Sequence, residues 1–175
     1  AAPGDMSLGD PKAKVSVVEY ASVTCSHCAA FNAEVFPAFK AKYVDTGRVR
    51  YTLKELPTPP QQVAVAGFLL ARCNGATPDR YFKVVDEVMR SQPRWKAGAI
   101  KPILQEIGRA NGVSDAQFDA CLTDEAQLAA MEARIERAVR EDGVQGTPTF
   151  FVNGKPVDVH TLADLDAAIA AAGKK

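Results

Sequence analysis

The sequence predicts an α/β chain in which a small sheet domain is interrupted by a block of helices. Three observations predict it. Strand-like alternation appears near both ends, at residues 15–21, 48–54 and 149–159. Every periodic stretch from residue 61 to about 142 has helical spacing instead. The length of 175 residues, 47% of them hydrophobic, suits one globule with a real core.

The elements follow in order. Residues 1–14 are small, polar and broken by Gly and Pro, and read as an extended lead-in. Residues 15–21 form a strand with Val15, Val17 and Glu19 on one face and Val18 and Tyr20 on the other. Apolar residues on both faces mark a central, covered strand, so Glu19 is expected to point inward; the alternative is a surface acid on an edge strand. Phe31, Val35 and Phe39 then give a helical stripe that Pro37 should kink, because proline lacks a backbone donor and crowds the preceding turn. Val49, Tyr51 and Leu53 cover one face of a second strand, and Leu56-Pro57-Thr58-Pro59-Pro60 ends regular structure.

The helical block carries its own punctuation. Val63, Ala66, Leu70 and Cys73 share a face; Thr77-Pro78 caps a helix bearing Tyr81, Phe82, Val85 and Met89. Ile100, Ile103, Leu104 and Ile107 make the next stripe. Ser114 to Gln117 has capping-box form and opens a short helix with Phe118, Cys121 and Leu122. Leu128, Met131, Ile135 and Ala138 make the last stripe. Gly146-Thr147-Pro148 then leads into a strand from Thr149, Asn153-Gly154 turns a hairpin, and Lys155 to Val159 is its partner. Thr161 and Asp164 cap a terminal helix that buries Leu162, Leu165 and Ile169. The domain boundaries expected are 13–60 with 143–175 for the sheet domain and 61–142 for the inserted helices.

Composition excludes several classes. Lys+Arg and Asp+Glu both number 21, so no basic face for nucleic acid is expected. The apolar runs are too short to span a membrane. The N-terminus reads Ala1-Ala2-Pro3-Gly4-Asp5, without a basic or an apolar targeting region. It fits either a cytosolic chain or an exported one whose signal peptide has been removed.

Chemistry points to Cys25-Ser26-His27-Cys28, between the central strand and a helix. Two intervening residues on a first helical turn bring the sulfurs within disulfide reach. The helix N-terminus offers unpaired N–H groups and partial positive charge, which stabilise a thiolate at Cys25. Cys28, one turn in, would be the resolving sulfur. The His27 imidazole could donate a hydrogen bond to the Cys25 thiolate or, protonated, set a charge beside it. Stabilising that thiolate favours the dithiol form and makes the disulfide form the stronger oxidant, by about 1.4 kcal/mol or roughly 30 mV per pKa unit. The alternative for this pair is half of a structural zinc site, but Cys73 and Cys121 do not supply the second close pair it would need. His160 reads as exposed, and Trp95, Met89 and Met131 as packing residues.

Together, Glu19, Cys25-Ser26-His27-Cys28 and Gly146-Thr147-Pro148-Thr149-Phe150 resemble the DsbA-type disulfide oxidoreductases of the thioredoxin superfamily, over roughly residues 13–172. The resemblance implies a thioredoxin fold with an inserted helical domain and a redox-active Cys25–Cys28 disulfide. It implies a cis proline at Pro148 facing that disulfide, with Thr147 hydrogen-bonding an extended substrate segment. It also implies that Glu19 lies buried beneath Cys28 and handles its proton. Lys54, charged on the neighbouring strand, is a candidate partner for Glu19, with the alignment of the two strands left open. Ser26 departs from the best-known motif, where proline is common; it lacks proline's fixed φ, so the potential is expected to differ.

The function expected is oxidation of folding exported proteins; the alternatives are an isomerase or reductase and, from another class, a non-cycling metal-binding module. No cofactor or metal is expected. The expected partners are unfolded or reduced proteins with free cysteines and a membrane redox protein that reoxidises the dithiol. The chain would be a periplasmic monomer that binds no nucleic acid. Cys73 and Cys121 are either two buried small hydrophobes or a structural disulfide. The oxidising compartment favours the disulfide, which would contribute roughly 4 kcal/mol by closing a long loop.

Overall fold

The computed structural model describes residues 4–95 and 98–174. Residues 1–3 of the expected lead-in lie outside the described residues. The strands are β1 (Met6–Leu8), β2 (Val15–Ala21), β3 (Val49–Glu55), β4 (Thr149–Val152) and β5 (Lys155–Val157). They form one sheet in the order β1-β3-β2-β4-β5. β2 runs parallel to β3, and the other neighbouring pairs are antiparallel. β2 is thus central, as its two-sided apolar pattern requires.

The lead-in is not wholly irregular, because Met6, Ser7 and Leu8 pair with Leu53, Thr52 and Tyr51 and close the sheet on that side. The last hairpin strand stops at Val157 rather than Val159. Asn153 and Gly154 both have positive φ, 47° and 78°, which a two-residue hairpin turn demands and which asparagine and glycine tolerate best.

The helices are α1 (Ser26–Glu34), α2 (Phe36–Phe39), α3 (Gln61–Ala71), α4 (Pro78–Arg90), α5 (Gln92–Trp95), α6 (Ile100–Ala110), α7 (Asp115–Leu122), α8 (Glu125–Asp142) and α9 (Leu162–Ala172). Pro37 breaks the first helical run at Val35, and a short π-helical turn, Lys40–Val44, follows α2. Phe31, Val35 and Phe39 are all buried despite the break. Thr77, Ser114 and Thr161 cap their helices through the expected side-chain bonds.

One cluster of buried side chains runs from the sheet into the helical block, taking in Val17, Tyr51, Phe68, Tyr81 and Phe118. A smaller cluster of Tyr20, Leu56, Ala138 and Val144 sits under α8. Two readings of helical faces change. Val63 and Ala66 are only half-buried, because α3 packs through Ala64, Gly67, Phe68 and Ala71. Leu128 is exposed at the start of α8. Gly67 lets α3 approach closely, since a Cβ there would lie 2.8 Å from Cγ2 of Val23, just ahead of the cysteine pair.

Cys73 and Cys121 are joined as a disulfide with a Cα–Cα distance of 5.6 Å, which ties the end of α3 to α7. One buried ion network is not announced by the sequence. Glu55, buried at the end of β3, accepts from Arg72 Nε at 2.9 Å, Arg134 Nη2 at 3.1 Å and the Tyr81 hydroxyl at 2.7 Å. It therefore links the sheet to α4 and α8 and to the residue that ends α3.

Candidate active site

The chain leaves the top of β2 and turns through Ser22–Thr24 into α1. Cys25 is the N-cap of α1, with φ −82° and ψ 120°, and its own N–H donates to Ser22 O at 3.2 Å. Its Sγ takes the place of the capping oxygen and accepts from the Cys28 N–H at 3.2 Å. The turn is braced from β3's exit. Thr24 Oγ1 donates to Thr58 O at 2.8 Å, and the Thr58 N–H donates to Ser22 Oγ at 3.1 Å.

The two sulfurs, present as free thiols, have opposite environments. Cys25 is half-buried; Cys28 is fully buried. The Cys28 side chain donates a hydrogen bond to the Cys25 sulfur, and this, with support from Thr147 and the N–H groups of Cys28 and His27, outweighs burial and lowers the Cys25 pKa to about 5. The same hydrogen bond, together with burial, pushes the Cys28 thiol far up. One sulfur is thus prepared to be an anion and the other to remain a thiol.

The hydrogen bond expected from the His27 imidazole is not formed. Its side chain is exposed, and among the described residues no hydrogen bond joins its imidazole to Cys25; its backbone N–H is what supports the sulfur. The reason is geometric, because a side chain at the second position of a helix points outward, whereas its N–H points along the axis toward the N-cap.

Glu19 lies on β2 with 3% of its surface exposed. Burial, only partly offset by a hydrogen bond from Tyr51 and added to by the Cys25 charge, raises its pKa to about 8. The Tyr51 hydroxyl donates to Oε1 at 2.5 Å, while Oε2 has no partner among the described residues. The charge of Glu19 also acts on Cys28. Lys54 is not its partner. Lys54 stands opposite Tyr20 in the parallel register, on the other face of the sheet, 3.8 Å from Asp5 and over the Tyr20 ring. Tyr51 escaped the sequence reading, although its place on the covered face of the neighbouring strand was a usable signal.

The Thr147–Pro148 peptide is cis, and the Thr147 carbonyl oxygen lies 3.6 Å from Cys25 Sγ. The loop before β4 therefore meets the sulfur at the N-terminus of α1. Beside it a groove of about 580 Å³ opens, lined by His27, Phe31, Pro148, Phe150, Val157 and His160 among others. His160 is exposed there. Trp95 packs against the core and donates from Nε1 to Ser91 Oγ at 2.9 Å. Among the described residues no group of three or more His, Cys, Asp or Glu side chains could hold a metal ion. None of the described helices is long and apolar enough to cross a membrane.

A sheet in this order, with a dithiol on the helix that follows its central strand, is a thioredoxin fold, and the helices carried between β3 and β4 give it the DsbA-type architecture. The chain belongs to the thioredoxin family: the family model described as thioredoxin matches residues 1–171. It is similar to a putative protein-disulfide oxidoreductase of Rickettsia bellii, with 32% identity over 166 residues, which cover 94% of this chain and 63% of that protein. The chain spans about three fifths of the curated rickettsial relatives it matches. Among solved structures, Wolbachia pipientis alpha-DsbA1 superposes with a TM-score of 0.89 at 27% identity, covering 99% of this chain and 94% of that one. BdbD from Bacillus subtilis has the same fold, with a TM-score of 0.87 at 20% identity, covering 100% and 96%.

Proposed function

We propose that the protein exchanges disulfides with cysteine-containing proteins through Cys25 and Cys28, and that it works chiefly as an oxidant. The observation that carries this reading is the opposite tuning of the two sulfurs. Cys25 is lowered to about 5 while Cys28 is raised. The relatives support the chemistry, since one is named a protein-disulfide oxidoreductase and another disulfide bond formation protein D.

In the disulfide form, a substrate thiolate attacks Cys25 Sγ. The Cys25–Cys28 bond breaks and a mixed disulfide forms at Cys25. The departing Cys28 thiolate is buried and needs a proton; Glu19, still protonated at neutral pH and near enough for its charge to act on Cys28, would supply it. A second substrate thiolate then attacks the substrate sulfur of the mixed disulfide. Cys25 leaves as a stabilised thiolate, the substrate carries the new disulfide, and the protein has gained two electrons. Thr147 and Pro148 would bind the extended substrate segment beside the groove.

Reoxidation requires a partner that accepts those two electrons, and a membrane redox protein is part of this proposal. So is an exported, periplasmic setting, supported by the Cys73–Cys121 bond, which survives in oxidising surroundings. The division into a sheet domain (13–60 and 143–175) and an inserted helical domain (61–142) belongs to the same reading. A metal-holding role has less support, because the two sulfurs lack further donors within reach among the described residues.

The sign of the energetics is set by the lowered thiol. Cys25 is depressed from 9.0 to about 5, so the stabilisation of the reduced form is complete above the unfolded thiol's pKa, shrinks as pH falls and is lost near pH 5. At pH 7 about two units of that window are in play. Discounted for a half-exposed sulfur, this is about 2 kcal/mol, or about 40 mV toward oxidation. The expected result is that the dithiol form unfolds at a higher temperature than the form bridged between Cys25 and Cys28 at pH 7, and that the gap closes near pH 5. Equilibration with glutathione followed by thiol counting tests the direction of the reaction. A pair that is largely reduced in an oxidising glutathione mixture supports the oxidant. A pair that stays bridged there, as in thioredoxin, makes the protein a reductase.

A further inference from the structure

Gln92 lies outside the Cys-x-x-Cys motif and the cis-proline loop, yet its side chain reaches the active-site turn. It opens α5, at the corner where the chain leaves α4. Its Nε2 donates to Val23 O at 2.8 Å and to Cys25 O at 3.2 Å. Both partners are carbonyl oxygens, which only accept, so the amide must present its NH2 group to them. The corner that carries Gln92 is itself held. The Ser91 N–H donates to Glu87 O and Val88 O at 3.1 Å each, and Ser91 Oγ donates to Val88 O at 2.6 Å.

We propose that Gln92 is a positioning residue for the exchange reaction, fixing the Cys25 peptide unit so that Sγ stays over the N–H groups at the start of α1. The inference rests on the thiol-exchange reading above. Cys25 can act as an N-cap only in its extended conformation, with ψ 120°. On its N-terminal side, that geometry is held by the bond to Ser22 O. On its C-terminal side, Cys25 O is held by the Ala29 N–H at 3.0 Å and by Gln92. Val23 lies outside every strand and helix, so its carbonyl has no ladder partner, and the Gln92 amide serves it. The amide also turns the positive end of its dipole toward the turn that carries the thiolate. Cys25 O keeps its bond from the Ala29 N–H in any case, so the amide's own contribution is to hold the Val23 carbonyl and to set a second donor on Cys25 O. The helical block thus contributes directly to the chemistry of a site built on the sheet domain.

The test is the Cys25 titration in the reduced protein, read by thiolate ultraviolet absorbance and by alkylation rate. Gln92→Met keeps the length and removes both donors. It is expected to raise the Cys25 midpoint by about half to one pH unit and to slow alkylation in mild acid by about three- to tenfold. Gln92→Glu sets carboxylate oxygens against two carbonyl oxygens and is expected to raise the midpoint further. Arg94→Ala, on the same short helix but paired outward with Glu106, is expected to leave it unchanged. If the wild-type midpoint is low and neither Gln92 variant moves it, the positioning role is overturned while the exchange reading stands. If the wild-type midpoint is that of an ordinary thiol, the exchange reading fails first. If Gln92→Met does not fold, Gln92 is a structural residue and the positioning role is again overturned.

Discussion

Replacing Glu19 with glutamine is expected to stabilise the reduced protein by about 3 kcal/mol at pH 7. Burial raises the Glu19 pKa from 4.5 to about 8. Above pH 4.5 the unfolded chain ionises this carboxyl while the folded chain keeps it neutral. The folded state therefore loses about 1.4 kcal/mol per pH unit until the folded group itself titrates near pH 8. Glutamine removes that loss and still accepts from the Tyr51 hydroxyl. The gain should vanish near pH 4, where both states hold the proton. Denaturant unfolding of the reduced wild type and Glu19→Gln across this range gives the difference directly. The same substitution should slow exchange by tenfold or more, because the buried Cys28 thiolate loses its acid. Stability and activity moving in opposite directions at one residue would mark a strained functional group.

Glu55→Leu is expected to cost about 3–5 kcal/mol, because it strands two guanidinium groups. The Glu55 side chain is 1% exposed, Arg72 9% and Arg134 12%. Removing the carboxylate leaves two cations and the Tyr81 hydroxyl without their shared acceptor. The triple substitution to apolar residues at 55, 72 and 134 should recover most of the loss, since a buried ion network is costly to break and less costly to replace as a whole. Urea unfolding measures both. A Glu55→Leu loss below about 1 kcal/mol would mean that water reaches the arginines.

What was legible in the sequence was local. The two-sided pattern of residues 15–21 located the central strand, Pro37 the broken helix, and Asn153-Gly154 the hairpin. Ser114 with Gln117 and Thr161 with Asp164 located helix starts. In each case the residues that set the geometry lie within a few positions of one another. β1 was missed because three residues carry no measurable period, and their pairing comes from β3, with Ser7 bonded to Thr52 across 45 positions. The Glu55 network was missed for the same reason. Its arginines lie 17 and 79 residues away and look like solvated helix charges when each is read alone.

In the site, the cysteine pair was legible from its spacing and the inward direction of Glu19 from the two-sided strand pattern, while the cis Thr147–Pro148 loop was expected only from the resemblance. Their surroundings were not. The face on which Lys54 falls depends on strand register, which the sequence leaves free. The direction of the His27 side chain depends on the helix start. Gln92 carries no signal at all, since a glutamine at a helical corner resembles any surface glutamine until the turn it binds is in view.

The central claim is that Cys25 is a stabilised anion. Its most direct test is thiolate absorbance of the reduced protein followed as a function of pH, with Cys25→Ser as the blank. A midpoint near pH 5 is the result expected from the hydrogen bonds at this sulfur. A single transition near the ordinary cysteine value, about 8.5, would contradict it.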